Sequence, residues 1–210
     1  MAKIKICGLT RRQDIDAVNT ALPDYIGFVF AKSRRQVDEM QAKALKAALN
    51  PSIKAVGVFV NEEIGKIIRL CNSQVIDLIQ LHGDENEDYI KKLKNCVPNK
   101  IIKAVRVKNR EDIKKAMAFS SDYLLFDAYH ESMYGGLGRT FDWSLISGVN
   151  RPFFLAGGIN SDNIMRAITQ CSPYCIDVSS GVETNGYKDP KKIMDIVAKA
   201  KQTNKQGEDD

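Results

Sequence analysis

The chain has 210 residues, 44% hydrophobic and 27% charged, and 31 Lys and Arg against 26 Asp and Glu give a formal net charge of +5. These are globular proportions, and so mild a basic excess favours an anionic small substrate without amounting to a nucleic-acid footprint. No apolar stretch approaches the roughly 18 residues of a membrane span, and MAKIKIC at the N-terminus lacks the apolar core and cleavage site of a secretory signal, so a cytoplasmic location is expected. Five scattered cysteines (7, 71, 96, 171 and 175) without a C-x-x-C pair, and only two histidines, predict reduced thiols and neither metal site nor cofactor.

In chain order, apolar runs suited to doubly buried strands appear at 4–8 (IKICG), 25–30 (YIGFVF), 55–60 (AVGVFV) and 78–83 (LIQLHG). Four more follow at 101–107 (IIKAVRV), 123–129 (YLLFDAY), 153–158 (FFLAGG) and 175–181 (CIDVSSG). Helical patterns fill the intervals at 38–49, 62–71, 87–94, 110–119 and 161–170. A last helix opens with Asp189 as cap and Pro190 in the first turn, while residues 203–210 read as a frayed polar tail. Eight strands alternating with helices in about 200 residues predict parallel pairing closed into a (β/α)8 barrel, a single α/β domain over 1–202. An open doubly wound sheet is the alternative, but neither a GxxxxGK[ST] loop nor a GxGxxG turn is present to support it.

In such a barrel the chemistry sits where the strands end and in the loops that follow. Those ends carry Cys7-Gly8, Gln80-Leu81-His82-Gly83, Asp127, Gly157-Gly158 and Asp177-Val178-Ser179-Ser180-Gly181. Asp127 stands in an otherwise apolar strand and needs a partner or a task. Gly157-Gly158 ahead of a helix, and Ser180-Gly181, supply free backbone N–H groups suited to an anion. The run Lys32-Ser33-Arg34-Arg35 could clamp a carboxylate or phosphate. Tyr134-Gly135-Gly136-Leu137-Gly138 with Trp143 beyond it reads either as a ligand-closing loop or as a flexible turn before a helix. Each of these residues also has a bland reading: Cys7 as buried filler, Asp127 as a loop cap, Asp177 as a brace for the Ser-Ser turn, the basic run as a solvated face.

Together KICGLT (5–10), GFVF with Ser33 and Arg35, GVFVN (57–61), QLHG (80–83) and FD (126–127) resemble the phosphoribosylanthranilate isomerase family of tryptophan biosynthesis. YGGLGRTFDW (134–143), AGGI (156–159) and DVSSGVE (177–183) complete the match, in order and over essentially the whole chain. One departure is Ala31, where many members carry Pro before Lys-Ser. The resemblance implies a TIM barrel of the ribulose-phosphate-binding type that takes a small phosphorylated substrate without a cofactor, while length and charge pattern predict no fused enzyme, no membrane and no nucleic-acid partner. It implies an Amadori rearrangement of N-(5-phosphoribosyl)anthranilate to 1-(2-carboxyphenylamino)-1-deoxyribulose 5-phosphate, an aldose–ketose isomerisation. Asp127 would be the general acid, kept protonated by burial, and Cys7 the general base, its thiol pKa lowered by nearby dipoles or cations. Arg35 would meet the anthranilate carboxylate. Gly158, Ser180 and Gly181 would hold the phosphate, and Gln80, His82, Gly136, Gly157 and Asp177 would complete the pocket. Two alternatives stay open at this stage: another phosphosugar-converting barrel enzyme, and a barrel that binds a phosphorylated ligand without turning it over.

Overall fold

The structure, a computed structural model, describes residues 2–128 and 140–202. Strands β1 (Lys3–Cys7), β2 (Tyr25–Val29), β3 (Lys54–Phe59), β4 (Leu78–Leu81), β5 (Lys100–Val107), β6 (Tyr123–Ala128), β7 (Phe153–Leu155) and β8 (Cys175–Val178) close into one barrel. Every neighbouring pair is parallel, and β8 returns to β1 with Ile4 opposite Ile176 and Lys5 opposite Asp177. The predicted (β/α)8 architecture is therefore the observed one. Helices α1 (Arg12–Ala21), α2 (Glu39–Ala47), α3 (Ile64–Asn72), α4 (Glu87–Cys96), α5 (Arg110–Ala116), α6 (Ile164–Cys171) and α7 (Pro190–Gln202) follow strands 1–5, 7 and 8. No helix is long and apolar enough to cross a membrane among the described residues.

Side chains alternate across each strand, so one set faces the helices and the other faces the barrel interior. Ile4, Ile6, Ile26, Phe28, Phe126 and Ile176 pack outward under the helices in the larger core. Tyr25, Val56, Leu78, Ile102, Leu125 and Phe154 fill the lumen. This register is what brings Cys7, two residues beyond Lys5, to the mouth. It does the same for Asp127, two residues beyond Leu125.

Three departures from the sequence reading have local causes. Helix α1 is absent from that reading, because its only large buried apolar residues are Ile15 and Val18. Its start is fixed instead by Asp14, whose Oδ2 accepts from the N–H groups of Thr10 and Arg11 at 2.9 and 3.0 Å. Where Trp143 suggests a helix, one 3-10 turn stands (Trp143–Ile146), capped by Asp142. A two-residue hairpin, β9 (Glu183–Thr184) with β10 (Tyr187–Lys188), follows β8; strands so short leave no periodicity to read. Two of the predicted strand ends, at 157–158 and 179–181, lie beyond the ladder in tight turns, with Gly157 and Gly158 at φ +84° and +66°. At the last helix Asp189 does cap the chain, accepting from Lys191 N–H at 2.9 Å. The proposed loop residue Gly136 and the tail 203–210 lie outside the described residues.

Candidate active site

At the carboxyl ends of the strands lies a cavity of about 540 Å³. Its walls include Cys7 from β1, Gln80 and His82 at the end of β4, Asp127 from β6 and Asp177 from β8. Arg35, Gly157, Gly158 and Ser180 also line it, so the sequence-predicted site residues converge on one space. Gly181 does not reach the wall. A Cβ there would stand 2.0 Å from the Ile159 carbonyl oxygen, so its bare backbone lets the turn after β8 pack against the turn after β7.

Close packing around Cys7 is equally strict. A Cβ on Gly27 would fall 2.6 Å from the Cys7 sulfur and 3.1 Å from its Cα. Gly8, at φ +82°, bends the chain out of β1, and a Cβ there would meet the Arg35 Cδ at 2.5 Å. The Ser179 hydroxyl donates to the Cys7 carbonyl at 3.1 Å, tying the ends of β1 and β8 together. Burial pushes the Cys7 thiol above its ordinary value of 9.0, Lys5 and Lys188 pull it back, and Asp177 reinforces the rise. The expected lowering is thus overridden, because desolvation outweighs the two cations.

Neither cation is flagged by the sequence reading. Lys5 is fully buried and donates to Gln80 Oε1 at 2.9 Å and to Asp177 Oδ2 at 2.8 Å. Burial alone would discharge it, but Asp177 and then Cys7 hold its pKa above the ordinary lysine value. Lys188, from β10, donates to the Ser179 carbonyl at 2.8 Å and to Glu183 Oε1 at 2.9 Å. Burial lowers its pKa, and Glu183 resists the fall. Glu183 in turn accepts from Arg35 Nε at 2.7 Å and Nη2 at 3.0 Å. Burial would raise its carboxyl, but Arg35 and Lys188 overcome that and hold it below the usual carboxylate range. Arg35, which lines the cavity, is thereby clamped at the mouth by a carboxylate of its own chain. Lys5 has a signal in the sequence: it shares the inward face with Cys7 two residues away. Glu183 closes the DVSSGVE motif but nothing there points to Arg35, and Lys188 has no signal, because the hairpin carrying both is too short to recognise.

On the far side, Asp127 is buried, with Oδ1 accepting from Ala128 N–H at 2.8 Å. His82 Nε2 lies 3.2 Å from its Oδ2, and His82 Nδ1 lies 2.7 Å from Gln80 Nε2. A Cβ on Gly157 would stand 3.0 Å from Oδ1, so glycine admits the turn after β7 to this carboxylate. Asp177 lines the cavity, and its Oδ1 is buried with no hydrogen-bond partner among the described residues. Two groups of unlike chemistry, a thiol and a carboxyl group, thus line one cavity flanked by two glycine-containing turns. Among the described residues no group of His, Cys, Asp and Glu is disposed to hold a metal ion.

Residues 4–199 match the family model described as N-(5'phosphoribosyl)anthranilate (PRA) isomerase. The N-(5'-phosphoribosyl)anthranilate isomerase of Endomicrobium trichonymphae is 51% identical, the match covering 94% of this chain and 97% of the relative. That of Thermoanaerobacter sp. (strain X514) is 45% identical, with 96% and 98% covered. The crystal structure of phosphoribosyl anthranilate isomerase from Thermotoga maritima superposes with a TM-score of 0.86 at 36% identity, covering 96% of this chain and all of that one. Another solved phosphoribosyl anthranilate isomerase, in complex with reduced 1-(o-carboxyphenylamino)-1-deoxyribulose 5-phosphate, superposes at 0.83 with 35% identity over the same shares.

Proposed function

The chain belongs to the phosphoribosylanthranilate isomerase family, and from that premise we propose that its barrel mouth converts N-(5-phosphoribosyl)anthranilate to the 1-deoxyribulose 5-phosphate in tryptophan biosynthesis. The observation that carries the residue assignment is that Cys7 and Asp127 line one and the same cavity.

Asp127 protonates the furanose ring oxygen, and the ring opens to a Schiff base. Its two donors, Ala128 N–H and His82, favour the carboxylate that remains, so the interaction strengthens as the proton leaves. Cys7 then takes the proton from C2 of the sugar, giving an enolamine that tautomerises to the ketone. A thiol raised by burial is scarce as thiolate but strong as a base once ionised, which suits a carbon acid. Lys5 and Lys188 supply the positive field that makes ionisation attainable. The proton given by Asp127 and the one gained by Cys7 balance, as an isomerisation requires.

Arg35 offers its remaining donors to the anthranilate carboxylate. Backbone N–H groups at Gly158 and Ser180 face the phosphate, and Asp177 Oδ1 accepts from a sugar hydroxyl. A cytoplasmic location suits the five free thiols. The test uses freshly generated phosphoribosylanthranilate, whose anthranilate fluorescence changes as it rearranges. Turnover by the wild-type chain is the expected result. Tight binding of a product analogue without turnover would establish a binding-only barrel, and neither binding nor turnover would mean that the substrate is misassigned.

A further inference from the structure

Four hydrogen bonds run unbroken through the lumen from Asp177 to Asp127, and their chemistry leaves only one assignment of protons. The Lys5 ammonium can only donate, so the Gln80 atom 2.9 Å from it must be the amide oxygen. The amide nitrogen then faces His82 Nδ1 at 2.7 Å. That nitrogen also only donates, so His82 Nδ1 carries no proton. A charged imidazolium would set N–H against N–H at that distance. The single proton of the neutral ring therefore sits on Nε2, 3.2 Å from Asp127 Oδ2.

We propose that Lys5 is a positioning residue that, through Gln80, locks His82 as a neutral Nε2–H donor to Asp127. Toward Asp127 it acts only through Gln80 and His82; it lies fully buried, held by Asp177 at 2.8 Å, and its ammonium also hydrogen-bonds the Cys7 side chain. The consequence is directional. A histidine already protonated on Nε2 cannot accept the proton of Asp127, so that proton has only the substrate to go to. Both carboxyl oxygens accept a hydrogen bond from the protein, so the acidic proton occupies a lone pair that neither donor uses. The inference deepens the reading of Asp127 as the general acid and rests on it.

The test is a long-range proton–nitrogen correlation on the full chain with 15N-labelled histidine. Only His82 and His130 contribute, and His130→Gln assigns the signals. Wild type should show the neutral Nε2–H ring for His82; an Nδ1–H or doubly protonated ring overturns the proposal. Gln80→Glu keeps an acceptor for Lys5 but presents a second acceptor to Nδ1. Its ring should become Nδ1–H or charged, with kcat down about 10- to 100-fold and KM moved far less. Retention of the Nε2–H ring in Gln80→Glu shows that Gln80 is not the lock. Lys5→Met should leave a mixture of tautomers, and an unchanged tautomer in the folded variant removes Lys5 from the chain of control. If Lys5→Met does not fold, Lys5→Gln decides: its amide can donate to Asp177 and turn its carbonyl to Gln80, reversing the Gln80 amide and shifting His82 toward Nδ1–H. None of these spectra needs substrate, so a failed isomerase assay with the stated tautomer would sink the functional reading alone. Turnover with the wrong tautomer would sink only this inference.

Discussion

Near the N-terminal ends of the strands the lumen is filled by Tyr25, Tyr123, Phe154 and Tyr174, whose ring centroids lie 4.8–5.7 Å apart. Further along the same inward-facing rows stand Gly27 and Asp127. The lower half is a packed aromatic plug; the upper half is a cavity walled by a connected polar chain. One alternation serves both, so height along the strand separates residues that hold the barrel closed from residues that act on a ligand. The plug's rigidity is also what allows the mouth to be polar. Lys5 and Asp177 sit on it fully or nearly fully buried and are paired to each other, the condition under which buried charge is tolerable.

Substitutions that strike one half and spare the other test this division. The largest effect belongs to the plug. Phe154→Ala removes a fully buried ring touching three tyrosines, and should cost about 3–5 kcal/mol of unfolding free energy by denaturant titration. Its kcat, corrected for the folded fraction, should change little. Next comes Gly27→Ala, which forces its Cβ against the Cys7 sulfur and should lower kcat by about 100-fold through misplacement of the base. Thermal unfolding should register a smaller loss than for Phe154→Ala. A Gly27→Ala enzyme with normal kcat would show that the thiol need not be held where it is.

The third prediction concerns ionisation at the mouth. Because burial raises the Cys7 pKa above 9.0, its alkylation by iodoacetamide, followed by peptide mass mapping, should still be climbing with pH at pH 9. A plateau reached below pH 8 would mean that Lys5 and Lys188 outweigh desolvation. Smallest is Tyr174→Phe, which removes hydroxyl contacts to Tyr25 at 3.0 Å and Tyr123 at 3.4 Å. It should cost about 0.5–1.5 kcal/mol of stability with turnover intact. A large loss of turnover there would dissolve the boundary between plug and mouth.

The barrel is legible in the sequence because doubly buried strands leave long apolar runs, and the glycine turns and Asp127 interrupt those runs where the ladder ends. What escapes is held by polar contacts rather than by periodicity. Helix α1 starts on Asp14 and buries little apolar surface, and the β9–β10 hairpin has two residues a side. Hence the clamp that Glu183 places on Arg35, and the part Lys188 takes in the field at Cys7, cannot be anticipated. Lys5 is visible only as a charge near the N-terminus, although its inward register beside Cys7 points to burial. The thiol's ionisation runs opposite to expectation, since a sequence shows neighbouring cations and not the desolvation opposing them.

The central claim is that Cys7 and Asp127 are the base and the acid of one isomerisation. It is tested most directly by the fluorescence assay on Cys7→Ala and Asp127→Asn, each compared with wild type after its thermal stability has been checked. The account predicts loss of at least about 100-fold in kcat for each, with the barrel still folded and the product analogue still bound. Near-normal turnover by either folded variant would contradict the assignment of that residue.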